Sequence, residues 1–290
     1  MRLANLVHPG LPDAAALLAP HGHVLVAEVA LAAGRDWPGR IDALLDAGAF
    51  DALREWADAN PDALAALPAA DADWCIGPPL RHPRKILGVG LNYAEHAGDL
   101  GERRPDEPAT FMKPATTIVG PGDEVVLPPQ SQRTTGEAEL GLVIGRRCRD
   151  LGEDEALDAV AGVVPILDMT AEDILQRNPR FLTRAKSFDT FFAFGPHLVT
   201  LDEIGEPAAL EVRTTLDGVV QRRNTVAHMM FSPRALVAFF SQVMTLEPGD
   251  VISTGTPGAV VLRHGATVGC VIPGVGEIAC PVRDRKVAAG

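Results

Sequence analysis

Beyond about residue 80, short apolar runs separated by glycine, proline and aspartate set the pattern of the chain, and they predict strands. The runs are Lys85–Gly88, Glu124–Leu127, Leu140–Gly145, Leu210–Leu216, Val251–Ser253 and Val268–Ile272. Turn signals stand just ahead of two of them, Gly120-Pro-Gly-Asp and Glu247-Pro-Gly-Asp. Helical spacing is rarer here. Ser232-Pro233 supplies an N-cap and a proline at the first helical position, and Leu236, Phe239, Phe240 and Val243 follow at i, i+3, i+4 and i+7 as a core-facing stripe.

Before residue 80 the pattern differs. His23–Ala30 has a strand-like apolar run, while Ile41-Asp-Ala-Leu-Leu and Ala52-Leu-Arg-Glu-Trp-Ala carry helical spacing. Gly77-Pro-Pro-Leu-Arg-His-Pro, rich in prolines that favour extended chain, is a natural boundary. The expectation is therefore a small α+β accessory domain over residues 1–80 and a mostly β, α+β catalytic domain over 81–290. No internal repeat or low-complexity linker interrupts the larger unit.

Composition narrows the function classes. The 290 residues are 47% hydrophobic and 22% charged, ordinary for a globular protein, with a formal net charge of −12 and no Lys/Arg cluster. That balance argues against nucleic acid or an anionic membrane as partner. No apolar stretch approaches the roughly 20 residues that span a bilayer, and Met1-Arg-Leu-Ala-Asn lacks a signal-peptide core, so a cytoplasmic protein is expected. Cys75, Cys148, Cys270 and Cys280 are scattered without a C-x-x-C pair and read as small buried hydrophobes.

Candidate chemistry starts at Thr135-Gly-Glu-Ala-Glu-Leu-Gly-Leu-Val-Ile. On a strand, Glu137 and Glu139 share a face. Two acids so close call for a positive partner, and a hard divalent cation is the usual one; a solvated edge strand is the alternative that a lone Glu-x-Glu leaves open. Asp168, at the end of Val163-Val-Pro-Ile-Leu-Asp, is either a turn former or a third oxygen ligand, which would suit Mg²⁺, Mn²⁺ or Ca²⁺ better than Zn²⁺. Lys186 could stabilise a developing enolate or oxyanion, or be simply solvated. His96 and Asp99 stand three apart, so on a helical turn the acid could orient the imidazole toward a water; a surface or capping role is the plainer alternative. The hydroxyls and backbone N–H groups of Thr254-Gly-Thr-Pro-Gly suit an oxygen-rich ligand or a plain turn.

Taken in order, several segments resemble the fumarylacetoacetate hydrolase superfamily, in its branch of acylpyruvate hydrolases and 2-hydroxyhepta-2,4-diene-1,7-dioate isomerases. They are Gly88-Val-Gly-Leu-Asn-Tyr-x-x-His, Phe111-Met-Lys, Gly120-Pro-Gly-Asp, Glu137-x-Glu-Leu, Arg184-Ala-Lys-Ser-Phe-Asp-Thr-Phe, Gly195-Pro and Leu246-x-Pro-Gly-Asp-Val-Ile-Ser-Thr-Gly-Thr-Pro. The resemblance runs from Lys85 to about Val282. It implies a mixed β-roll catalytic domain with a small N-terminal domain, usually a homodimer. It also implies a divalent cation, Mg²⁺ or Mn²⁺ with Ca²⁺ possible, on Glu137, Glu139 and Asp168. His96 and Asp99 become a catalytic lid pair, Lys186 the active-site lysine, and Thr256 with Gly255 a contact to substrate oxygens.

One departure stands out. Around the third ligand the superfamily reads Asn-Asp-x-Ser-Ala-Arg-Asp-Leu-Gln, and this chain reads Leu167-Asp-Met-Thr-Ala-Glu-Asp-Ile-Leu-Gln. Glu172 replaces an arginine and Leu175 a glutamine, so Gln176 falls one position late. That loss removes a bidentate carboxylate partner, which Arg177, Arg180 or Arg184 would have to supply. Thr135 and the Gly265-Ala266 pair depart from the pattern more peripherally.

The expectation is a metal-dependent hydrolase cleaving a C–C bond in a β-diketone or 2,4-dioxo acid of aromatic catabolism, the partners being that small substrate and a second copy of the chain. Decarboxylation or isomerisation of a 2-oxo acid on the same fold, or a metal-binding scaffold without catalysis, are the alternatives.

Overall fold

The structure is a computed structural model and describes residues 1–94 and 106–287. The N-terminal segment forms strands β1 (Arg2–His8), β2 (Leu11–Ala19), β3 (Gly22–Leu25) and β4 (Cys75–Gly77), with helices Val26–Ala33, Ile41–Asp46, Phe50–Ala59 and Pro61–Ala65 between β3 and β4. Then come β5 (Ile86–Gly90), β6 (Ala109–Lys113), β7 (Ile118–Val119), β8 (Val125–Leu127), β9 (Thr134–Ile144), β10 (Val160–Ala171), β11 (Phe192–Phe194) and β12 (His197–Val199). The last third adds β13 (Glu211–Leu216), β14 (Val219–Thr225), helix Pro233–Val243, β15 (Val251–Ser253), β16 (Ala259–Val261), β17 (Thr267–Ile272) and β18 (Gly276–Asp284).

Among the described residues these strands form a large sheet in the order β3-β2-β1-β12-β10-β9-β15-β5-β6 and a smaller one in the order β14-β13-β17-β18-β8. The first sheet runs unbroken from the N-terminal strands into the later ones, because β1 pairs with β12 through Ala4↔His197 and Leu3↔Leu198. Its spine is the long antiparallel pair β9–β10, whose register runs from Ala171↔Thr134 through Asp168↔Glu137 to Val160↔Ile144. Every residue of β9 is buried, as are all of β10 after Val160. Both faces of that pair therefore sit in protein, and β-branched and aliphatic residues alternate with small ones to fit. Gly141 shows why: a Cβ there would lie 2.3 Å from Ile166 Cδ1 across the strand.

The two turn signals form as their chemistry requires. Asp123 accepts from the Gly120 N–H at 2.7 Å and Asp250 from the Glu247 N–H at 2.7 Å. Gly122 and Gly249 take φ of 81° and 83°, left-handed values that disfavour a side chain. Beyond residue 80 the expected strands all appear, most of them lengthened or trimmed at their ends, and the sheet-rich α+β architecture is as expected.

Three local expectations need correction. His23–Ala30 is not one strand: β3 ends at Leu25 and helix Val26–Ala33 follows, because Val26, Val29 and Ala30 bury at i, i+3 and i+4 and Gly34 closes the helix in the left-handed conformation. In helix Pro233–Val243 the stripe holds at Leu236 and Phe240, but Val243 ends the helix 56% exposed. Cys75 is exposed on the short strand β4, unlike Cys148, Cys270 and Cys280. No helix among the described residues is long and apolar enough to cross a membrane.

Candidate metal centre and its cavity

The i, i+2 spacing of Glu137 and Glu139 on β9 puts both carboxylates on one face, and the β9–β10 register sets Asp168 directly opposite Glu137. One oxygen from each of the three lies within 4.8 Å of the other two. The edge-strand alternative fails, because β9 is flanked by β10 on one side and by β15 and β16 on the other.

Two lysines meet these acids. Lys186, at the end of helix Leu182–Lys186, donates to Glu137 Oε2 at 2.9 Å and Asp168 Oδ2 at 2.5 Å. Lys113, the last residue of β6, pairs with Asp168 Oδ1 and donates to the Met169 carbonyl at 3.1 Å. The Lys186 ammonium also sits 4.7 Å from the centroid of the Phe111 ring. That ring packs against Gly88, where a Cβ would come within 2.2 Å of it. Glu139 is held differently, accepting from Ser253 Oγ at 2.6 Å and from the Gly255 N–H at 2.8 Å. Gly255 can present that N–H because its φ is 98°, and a Cβ would strike Asn92 Cβ at 2.7 Å.

The electrostatics follow from burial. Burial, with Asp168 nearby, pushes Glu139 up to about 8, against the pull of Lys186 and Ser253. Burial would raise Asp168 as well, but Lys113 and then Lys186 outweigh it and hold that carboxyl below its usual range. Burial takes Lys113 down to about 8, opposed by Asp168. Lys186 is buried too, yet Asp168, Glu137 and Glu139 together hold it above the ordinary lysine range. Three buried acids thus face two ammonium groups, and the shortfall of positive charge is felt at Glu139. An all-oxygen donor set of this kind fits a hard divalent cation such as Mg²⁺, Mn²⁺ or Ca²⁺.

Above the triad opens a cavity of about 520 Å³. Glu137, Glu139 and Lys186 form its charged floor, Thr135, Thr170 and Thr256 its hydroxyl-bearing sides, and Val89, Leu91, Phe111, Leu175 and Leu182 much of the rest. Gln176 lines it too, with its amide donating to Glu172 Oε1 at 3.1 Å. Thr256 Oγ1 contacts Gly258 O at 3.2 Å. Arg184 is exposed and does not line the cavity, because two positions along a helix from Lys186 turns it to the opposite side. Arg177 and Arg180 are exposed as well. His96 and Asp99 lie outside the described residues.

Lys113 and Ser253 were not anticipated as site residues. In β6 Met112 is 46% exposed and Lys113 only 4%, so the lysine falls on the strand face of Phe111 against the sense of hydropathy, and its one sequence signal is its place in Phe111-Met-Lys.

A sheet-rich fold carrying a carboxylate triad beneath a cavity defines the class, a divalent-metal-dependent metabolic enzyme. The chain belongs to the fumarylacetoacetate hydrolase family, the description "Fumarylacetoacetate (FAA) hydrolase C-terminal" matching residues 85–283. Among solved structures it is similar to a Mycobacterium smegmatis protein provisionally described as HpcE, with a TM-score of 0.85 and 34% identity over 98% of this chain and 100% of that one. It is also similar to maleylpyruvate hydrolase from Sphingobium sp. SYK-6 in complex with manganese(II) and pyruvate, with a TM-score of 0.78 and 29% identity over 98% and 99% of the two chains. A third is 2-hydroxyhepta-2,4-diene-1,7-dioate isomerase from Mycobacterium marinum, with a TM-score of 0.73 and 30% identity over 99% and 100%.

Proposed function

We propose that this chain hydrolyses a C–C bond in a 2,4-dioxo acid of the acylpyruvate type. The observation that carries the reading is the three-carboxylate cluster at the base of the cavity, with the Lys186 ammonium between Glu137 and Asp168. Glu137, Glu139 and Asp168 would hold the divalent cation, which when bound supplies Lewis-acid polarisation of the dicarbonyl oxygens.

The chain's own groups do the rest. Lys186, steadied over the Phe111 face, offsets negative charge that develops on a substrate oxygen. The Thr256 hydroxyl, at the cavity wall, orients an oxygen of the acid head. His96, oriented by Asp99, takes a proton from water, and the hydroxide adds to the C4 carbonyl. The C3–C4 bond then breaks, its electron pair passes to the pyruvate enolate, and a proton returned to C3 completes pyruvate and a carboxylic acid. The resemblance to a manganese- and pyruvate-bound maleylpyruvate hydrolase supports this reading.

The test is turnover of acylpyruvates with Mn²⁺ or Mg²⁺. EDTA and Glu139→Ala should each lower kcat/KM by at least a thousandfold. Activity surviving both treatments sinks the proposal. The resemblance to an isomerase favours a second reading, rearrangement or decarboxylation of a 2-oxo acid without an activated water. His96→Ala separates the two, since hydrolysis collapses without the base while enolate chemistry persists.

A further inference from the structure

We infer that Glu172 and the aliphatic wall beside it make this cavity selective for 2-oxo acids with an uncharged apolar tail, and against those carrying a second carboxylate. The inference rests on the dioxo-acid reading for the head group, and concerns only what the far end of the cavity accepts.

Charge is distributed unevenly along the cavity. Lys186 is the one cation among its described lining residues, and it is already engaged with Glu137 and Asp168 at the floor. Moving outward along β10, the same strand face carries Asp168 and then Thr170, and helix Glu172–Arg177 begins immediately after Ala171. At roughly 3.3 Å per residue the backbone at Glu172 is about 13 Å beyond Asp168. Thr135 stands opposite Thr170 across the β9–β10 register, and both hydroxyls donate to Glu137 Oε1, at 3.5 and 3.2 Å. At the outer end the lining is Glu172, Leu175, Gln176, Pro179 and Leu182.

Glu172 is fixed in place. Arg133 Nε bonds its Oε2 at 2.5 Å and Gln176 Nε2 bonds its Oε1 at 3.1 Å. Its backbone N–H donates to the Arg133 carbonyl at 2.9 Å. The Glu172 side chain is only 17% exposed, whereas Arg133 is 51% exposed and does not line the cavity. The acid therefore lines the cavity while its cation does not, and the wall here consists of Glu172 with Gln176 bonded to its Oε1. Gln176 has already turned a donor of its amide toward Glu172.

A distal carboxylate entering this end would lose water and meet either like charge or Leu175 and Leu182, with no described lining cation to receive it. Burying a charge without a partner is strongly unfavourable, and an unpaired or like-charged contact is an effective way to reject a competitor. An alkyl or aryl tail gains by the same wall, since each methylene removed from water favours binding.

The experiment uses two stable 2-oxo acids that share a head group and differ at the tail, 2-oxoheptanoate and 2-oxoadipate. Each is titrated calorimetrically into the full chain loaded with Mn²⁺ at neutral pH. 2-Oxoheptanoate should bind at least tenfold more tightly, and Glu172→Gln, which keeps the volume and removes the charge, should narrow the gap at least threefold. Equal or tighter binding of 2-oxoadipate to the unaltered chain overturns the inference whatever the variant does, and so does a gap that Glu172→Gln leaves unchanged. The expected order of binding without cleavage of any 2,4-dioxo acid would leave the cavity assignment standing and remove the hydrolase reading. Failure of both 2-oxo acids to bind removes both.

Discussion

Two clusters of titratable side chains, one buried and one half-buried, sit on the large sheet and solve the cost of burial in opposite ways. On β10, Asp168 keeps its charge in company, between Lys113 and Lys186. Across the sheet, His23 on β3 and His197 on β12 give theirs up. Their Nε2 atoms are 2.8 Å apart, with the rings stacked at a centroid distance of 5.2 Å. Burial lowers His23, while burial with the neighbouring His23 and Arg2 takes His197 down to about 4. A group that can become neutral near neutral pH does so when desolvated; a carboxylate whose neutral form lies far from that pH needs cations instead. The first cluster is therefore expected to answer to metal and the second to pH.

The largest effect should come from unbalancing the acid cluster. Lys113→Met keeps most of the volume but leaves Asp168 with Lys186 alone. Removing one member of a buried pair typically costs about 3–5 kcal/mol. Urea unfolding of the metal-free chain should show a loss of that size. A change under about 1 kcal/mol would mean that Lys113 is not balancing buried charge, and the contrast between the clusters would lose its first half.

Metal should act next in magnitude. With Mn²⁺ at a hundred times its Kd the folded state gains about 2.7 kcal/mol, so the midpoint of urea unfolding should rise with Mn²⁺ and fall back on adding EDTA. Asp168→Asn should abolish most of that gain, because it weakens one of three oxygen donors. His197→Gln should leave it intact. If both variants retain the full Mn²⁺ gain, the cation is bound elsewhere.

How much of this could be read from the chain depends on how far apart the partners lie in sequence. Glu137 and Glu139 share a face by strand periodicity alone, and Val251–Ser253 is a strand with the predicted bounds. Cross-strand contacts were harder. That Asp168 faces Glu137 rather than Glu139 is a matter of β9–β10 register, which a stretch of intervening chain does not fix. Lys113 was visible only as part of Phe111-Met-Lys, since nothing local says which face of an isolated five-residue strand turns inward. The start of helix Val26–Ala33 was obscured because an Ala/Val-rich run suits both periodicities until tertiary packing chooses one. The imidazole pair was invisible for the same reason as the register: His23 and His197 share a sheet face only through the β3–β2, β2–β1 and β1–β12 pairings, and reach each other over the small Ala4 and Ala16.

The smallest expected effect tests the second half of the contrast. His197 titrates lower in the folded chain than the ordinary value of about 6.5, so between pH 6.5 and about 4 the unfolded chain binds the extra proton. Stability from this pair is then fully present above pH 6.5 and is lost as pH falls toward 4. Both rings are partly exposed, which limits the effect to about 1–2 kcal/mol after screening. Other groups also titrate in that range, so the informative quantity is a difference: unfolding free energies at pH 7 and pH 4.5, for the natural chain and for His197→Gln. The natural chain should lose more stability on acidification than the variant. Equal losses would mean that the two rings tolerate protonation where they stand, sharing one proton across the 2.8 Å contact, and desolvation would no longer distinguish this pair from the acids of β9 and β10.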